Sequence, residues 1–306
     1  MAWVFLTIAG AFLQNLRSLL QRRLTADLSV NGAAYVRFLF ALPFAWLLLG
    51  VLLTQTDAPA PSLDREFWFF VVIGAVTQMF ATSALVAAVS GSHFALGTAL
   101  SKTEAIQAVV LGFLILGEGL GGLALAGITI SLVGVFLLSG NIRSRDLVKA
   151  DRRVWLGVLA GTALALCAIC YRGASLALLE PLVAPASASA PTVFLLTVFV
   201  AAVTLATAVT LQTLLMGFYL WVREPGQIRA VIARWSLALP VGLIAMVASA
   251  CWFTAMAMHN AAMVRALGQI ELLFTLMTSV WLIKERLTRR EVFGMVLLVL
   301  GILMLF

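Results

Sequence analysis

Seven ionisable side chains, Arg17, Arg37, Lys102, Glu104, Arg172, Arg265 and Glu271, stand inside stretches that are otherwise almost wholly apolar. Each would cost about 2.5–3.5 kcal/mol in a membrane span if it met neither a partner nor water. Five are cations and two are anions. That surplus suits a cavity that attracts a carboxylate or another anionic group. Glu104 and Glu271 are the groups that could take up a proton or bind a substrate ammonium. The packing alternative is a Glu–Arg pair that fixes two helices together, with Arg37, Arg172 or Arg265 as partner. Arg17 and Lys102 have a further option, extending along their stems toward an interface.

Polar neighbours at helical spacing widen the set. Gly268, Thr275 and Thr278 recur around Glu271, and Gly97, Ser101 and Ala108 around Glu104. Such small stripes either face a cavity or let helices approach closely. Ser249, Trp252, Met256 and His259 form another stripe, which either walls a substrate site or packs. Gln14, Ser18 and Gln21 share one face of the first apolar run, and Gln78 and Thr82 lie in the third. The expected substrate- or proton-binding residues are therefore Glu104, Glu271, Arg37, Arg172, Arg265, Lys102, Gln14, Gln78, Trp252 and Thr275.

Other chemistries find little support. Cys167 and Cys170 form a CxxC and Cys251 stands alone, all in apolar runs, where thiols pack between helices. With His93 and His259 the only histidines, no catalytic metal centre is expected, and no cofactor. Neither HExxH nor GxSxG occurs, so an enzyme is not expected. The absence of GxxxxGK[ST] points to gradients rather than ATP hydrolysis as the energy source.

The elements that must position these groups are membrane helices. The 306 residues are 63% hydrophobic and 11% charged, with mean hydropathy +1.09. Ordinary globular chains are nearer half apolar and a quarter charged. Ten spans fit, near 2–20, 33–53, 67–88, 94–116, 121–139, 154–178, 192–221, 235–258, 261–283 and 288–306. Pro43 and Pro240 fall inside the second and eighth, where kinks are expected. Trp3, Trp46, Trp68, Trp155, Trp221 and Trp235 lie near span ends, as an interfacial belt would. The net charge of +7 sits in connections, not in a nucleic-acid patch. Basic residues crowd the odd-numbered connections, from Arg22 and Arg23 through Arg143, Arg145, Lys149, Arg152, Arg153, Arg223, Arg229 and Arg234 to Lys284, Arg286, Arg289 and Arg290. The positive-inside rule then places those connections in the cytoplasm and both termini outside.

The spans repeat. Residues 77–138 align without gaps on 244–305, an offset of 167, with Glu104/Glu271, Glu118/Glu285, Gly127/Gly294 and Gly134/Gly301 among the identities. IAGA at 8–11 resembles LAGT at 159–162, an offset near 151. Two halves follow, 1–140 and 154–306, joined by a basic cytoplasmic linker at 141–153. Five is odd, so the second half must be upside down. The expected fold is an all-α integral membrane protein of ten transmembrane helices, arranged as two inverted five-helix repeats around a central cavity. Glu118 and Glu285 end their spans and are expected to cap the next helix.

The half-endings LGEGLGGLALAGITISLVGVFLL (116–138) and IKERLTRREVFGMVLLVLGILML (283–305), with Arg37-Phe38 in span two, resemble the EamA family of the drug/metabolite transporter superfamily. Many members carry proline just after the positions of Glu104 and Glu271, where this chain has Ala105 and Leu272. The resemblance implies alternating access and export of small polar metabolites such as amino acids across the bacterial inner membrane, with the lipid bilayer as surroundings. Protons are the coupling ion on the functional reading of the glutamates. The same superfamily supplies the alternative of a flippase for a lipid-linked sugar or related anionic headgroup.

Overall fold

A computed structural model describes residues 1–24, 27–56, 61–89, 100–138, 152–183, 190–278 and 288–306. These are mainly helical, with no strand among the described residues. In chain order the helices are α1 (Ala2–Leu24), α2 (Val30–Leu39), α3 (Leu42–Gln55), α4 (Arg65–Val89), α5 (Glu104–Leu116), α6 (Gly122–Leu138), α7 (Arg152–Val183), α8 (Ala190–Arg223), α9 (Gln227–Ala233), α10 (Trp235–Met258), α11 (Ala261–Gly268), α12 (Glu271–Thr278) and α13 (Arg289–Leu303). Six described stretches are long and apolar enough to cross a membrane: Ala2–Gln21, Val30–Gln55, Arg65–Ala84, Trp155–Val183, Ala190–Arg223 and Trp235–Met258. At about 1.5 Å per residue α8 alone outreaches the roughly 30 Å bilayer core.

Three of the expected spans are not continuous. The second breaks at Phe40 and Ala41, one turn ahead of the kink expected from Pro43, which sits in the first turn of α3. Proline has no N–H to donate and clashes with the carbonyl four residues earlier, so the helix restarts there. The fourth breaks at Lys102 and Thr103, the ninth at Gln269 and Ile270. These are the same repeat position, 167 apart, and neither break contains proline. Tight i to i−3 bonds carry the chain through: Thr103 N–H donates to the Leu100 carbonyl at 3.2 Å, and Ile270 N–H to that of Leu267 at 3.1 Å. These two donors are thus satisfied within the breaks, as a low-dielectric setting demands. Glu104 and Glu271 are consequently not mid-helix residues. Each opens a new helix, where the positive end of the helix dipole favours a carboxylate.

The helices group into two compact units. The first comprises Met1–Met79 and Cys170–His259. Here α1 packs along α10, and α8 packs on α2 and α3. Leu24, Tyr35, Val36, Met216, Leu220 and Val241 form a buried apolar cluster. Gly242 of α10 meets the span-two break so closely that an added Cβ would lie 2.5 Å from the Phe40 carbonyl carbon. The short helix α9, unexpected between spans seven and eight, closes on the start of α2. There Ser29 caps α2 and donates to the Glu224 carboxylate, and Asn31 Nδ2 joins it at 2.7 Å.

The second unit comprises Phe80–Ile169 and Asn260–Phe306. Its main seam joins α6 to α13 through glycines. A Cβ at Gly127 would lie 2.6 Å from the Gly301 oxygen, and one at Gly134 2.7 Å from the Gly294 oxygen. Ascending positions in α6 therefore meet descending positions in α13, so these repeat-related helices run antiparallel. Ala108, Ala165 and Ala262 pack α5, α7 and α11 together, small residues permitting close approach. Helix α5 ends on Gly117 in the left-handed conformation (φ 68°), and Thr288 with Glu291 forms a capping box at the start of α13.

Candidate functional site

In the second unit the two helix breaks lie against each other. The Gln269 side-chain amide donates to the Lys102 carbonyl at 3.2 Å, so one break residue holds its repeat equivalent. The charges then cross over. Arg265, from α11, donates to Glu104 at 2.5 Å, and Lys102 donates to Glu271. Each carboxylate is thus paired with a cation from the other repeat copy. Arg265 and Glu104 side chains are only 14% and 5% exposed, and the other pair 15% and 15%. Charge-assisted bonds of this burial are strong, and losing one partner strands the other. Gly161 of α7 supports the site from behind, since its Cβ would sit 2.8 Å from the Ser101 carbonyl at the span-four break. The Gln269 side-chain oxygen is buried and meets no hydrogen-bond donor among the described residues.

The expectations for these residues change accordingly. Lys102 does not extend toward an interface but pairs with Glu271. Of the three arginines considered as partners for a glutamate, Arg265 is the one that the structure places on Glu104. Thr275 is exposed and bonds back to the Glu271 carbonyl at 3.0 Å. Glu118 holds the cap of another helix. Its carboxylate accepts from Asn260 Nδ2 at 3.0 Å, and Asn260 is the N-cap of α11. Glu285, His93, Gly97 and the basic residues at 143, 145, 149, 284 and 286 lie outside the described residues, as does the side chain of Thr278.

In the first unit a second polar group forms around a water-sized cavity of about 10 Å³, lined by Arg37, Gln78, Gln212, Ser249, Phe38 and Phe253, among others. Arg37 also stands over the Phe38 ring at 5.0 Å. Behind the cavity, Tyr171 Oη donates to Gln78 Oε1 at 2.8 Å. Gln212 Nε2 donates to the same oxygen at 2.5 Å and to Tyr171 Oη at 3.0 Å. Tyr171 and Gln212 are each 1% exposed. Sequence reasoning named Arg37 and Gln78 but missed Gln212 and Tyr171. The available signal was one amide in the apolar run of α8 and one phenol in that of α7.

The remaining expected residues do not line that cavity. Arg172 lies at the end of α10, where Nη1 donates to the Met256 and His259 carbonyls at 2.5 and 2.7 Å, a C-terminal cap that also suits the helix dipole. Trp252 packs its indole against Gly10 of α1. Gln14 is half-buried on α1 and accepts from Ser18 through its backbone carbonyl. Trp3 is buried and stacks on the His259 ring at 4.4 Å, so neither side chain belongs to an exposed belt. Trp46, Trp68, Trp155, Trp221 and Trp235 are exposed. The three cysteines are free thiols.

Long apolar helices, and charges paired at helix breaks, define a polytopic membrane protein. The chain belongs to the EamA-like transporter family, which it matches over residues 1–140 and 155–306. It is therefore a multi-pass membrane protein of a transporter family within the drug/metabolite transporter superfamily, whose partners are a small-molecule substrate and the bilayer. A solved crystal structure of a protein 17% identical to it covers 100% of this chain and 97% of its own, with a TM-score of 0.66. That likeness speaks to fold alone. No curated protein matches the chain.

Proposed function

We propose that the protein is a secondary transporter that exports small polar metabolites, amino acids among them, across the bacterial inner membrane by alternating access. Its halves, 1–140 and 154–306, form inverted five-helix repeats around a central cavity, joined by the basic linker 141–153, with both termini outside. The observation that carries this reading is the crossed pairing at two repeat-related helix breaks, Lys102 with Glu271 and Arg265 with Glu104. Interrupted helices meeting at a pseudo-twofold point are how many transporters build a substrate or ion site. The antiparallel run of α6 and α13 supports the inversion, because related copies in opposite directions are what upside-down halves require.

The five-to-two cation surplus favours, as a second reading, a flippase for a lipid-linked sugar or another anionic headgroup. Proteoliposome flux across amino acids, other metabolites and a lipid-linked sugar, each with and without a proton gradient, separates the two. Soluble metabolites should move and the lipid-linked sugar should not. Flux of the lipid alone would replace the first reading with the second. Flux independent of the proton gradient would leave export standing and remove proton coupling.

A further inference from the structure

Four of the seven charges inside the spans pair within the second unit, Lys102 with Glu271 and Arg265 with Glu104. The first unit holds the other three, Arg17, Arg37 and Arg172. Arg172 donates to the Met256 and His259 carbonyls, and Arg37 stands over the Phe38 ring. Arg17 differs. It forms no ion pair among the described residues, and its buried Nε meets no hydrogen-bond acceptor there. We propose that Arg17, in the field of Arg37 on the neighbouring helix, binds an oxyanion, a carboxylate or phosphate group carried by a small solute or a lipid headgroup. The site goes beyond the transport reading above, since binding is measurable without flux.

Helical spacing sets the two arginines at one level. Gln21 Nε2, near the end of α1, donates to the Ala33 carbonyl in the first turn of α2 at 2.7 Å. One turn further from the connection come Arg17 on α1 and Arg37 on α2, four residues from Gln21 and Ala33 and on the same faces. Arg37 is accordingly the charged neighbour whose field reaches Arg17. Like charges so placed make each other's burial more costly. The helices around them offer no relief: α1, α2 and α10, which packs on both, carry no acidic residue, nor do α3 and α8. Asp27, in the connection, pairs with Arg234, and Glu224 accepts from Ser29 and Asn31. With no carboxylate among the described residues to meet Arg17, an anion from outside the chain is the matching partner. A guanidinium is a planar fork that bonds two oxygens of a carboxylate or phosphate, so an oxyanion is preferred to a halide. Two cations also favour a doubly charged oxyanion over a singly charged one.

The test is thermal stabilisation of the purified full chain in a neutral detergent, with phosphate, succinate, acetate and chloride compared at one ionic strength. Phosphate and succinate should raise Tm saturably, acetate less, and chloride not at all. Arg17→Gln should weaken that response about tenfold or more, and Arg17→Lys should keep part of it. Arg65→Gln, at the exposed start of α4, should match the wild type. The lipid source is read separately, by mass spectrometry of phosphatidylglycerol retained through delipidating washes after reconstitution in phosphatidylcholine that contains it. A response to soluble anions alone assigns the site to a small solute. Retention that Arg17→Gln lowers, without a soluble response, assigns it to the headgroup, and both together support a site open to either. Neither in the wild type, or both unchanged in Arg17→Gln, overturns the site while the transport reading stands. Without ligand, Arg17→Leu should melt at or above the wild type, because it removes a cation that lacks a partner in the chain. A clearly lower Tm would place that partner inside the protein and overturn the site as well.

Discussion

In Phe80–Ile169 with Asn260–Phe306, each carboxylate at a helix break meets a cation from the other repeat copy, and the four charges sum to zero. In Met1–Met79 with Cys170–His259, the buried polar cluster is neutral, a Tyr171–Gln78–Gln212 triangle beside a single guanidinium. The first arrangement is insensitive to small shifts of one hydrogen bond but fails when a charge is removed. The second depends instead on donor and acceptor direction. Ion pairing at the breaks and neutral hydrogen bonding beside the cavity are thus kept in separate units.

The largest expected effect tests the ionic half. Arg265→Ala leaves Glu104 buried without its partner and should cost about 3–5 kcal/mol, seen as a collapse of thermal stability in detergent. The charge-reversed double variant Glu104→Arg/Arg265→Glu should recover much of it. A stable Arg265→Ala protein would mean that the crossed pairs do not hold this unit. Next is the glycine seam. Gly134→Leu must push α6 from α13 and should cost about 1–3 kcal/mol or more by melting, while Gly50→Ala, with nothing within 4 Å of its Cβ, should be neutral or stabilising.

The directional half should respond less in stability. Gln212→Leu removes two donors from a buried triangle and should cost about 1–3 kcal/mol, with Gln212→Glu no better, since it takes away the donating nitrogen. Thr288→Ala breaks a capping box and should lower stability by about 1 kcal/mol. Smallest of all, Asp27→Asn removes an ion pair with Arg234 that is 49% and 40% exposed, worth about 0–1 kcal/mol, and salt should mask the change.

Much of this was legible from residue order. The apolar runs, the offset of 167 and the placement of Glu104 and Glu271 at corresponding positions follow from pattern alone, because lipid leaves few alternatives to a satisfied helix. The breaks before those glutamates were not legible. Ser101, Lys102 and Thr103 carry no proline or glycine, and at the equivalent positions Gly268, Gln269 and Ile270 the single glycine reads equally well as part of the small-residue stripe around Glu271. An interrupted helix is tolerated there because i to i−3 backbone bonds carry both interruptions and the Gln269 amide holds the Lys102 carbonyl of the other.

Partner choice was likewise out of reach. Arg37, Arg172 and Arg265 are equal candidates in a string of letters, yet one lines a cavity, one caps α10 and one neutralises Glu104. Composition and period dictate which side chains must avoid lipid. Which of them meet depends on how antiparallel helices cross, a distance of a few ångströms set by glycines at Gly127, Gly134 and Gly161 and decided only when the chain has packed.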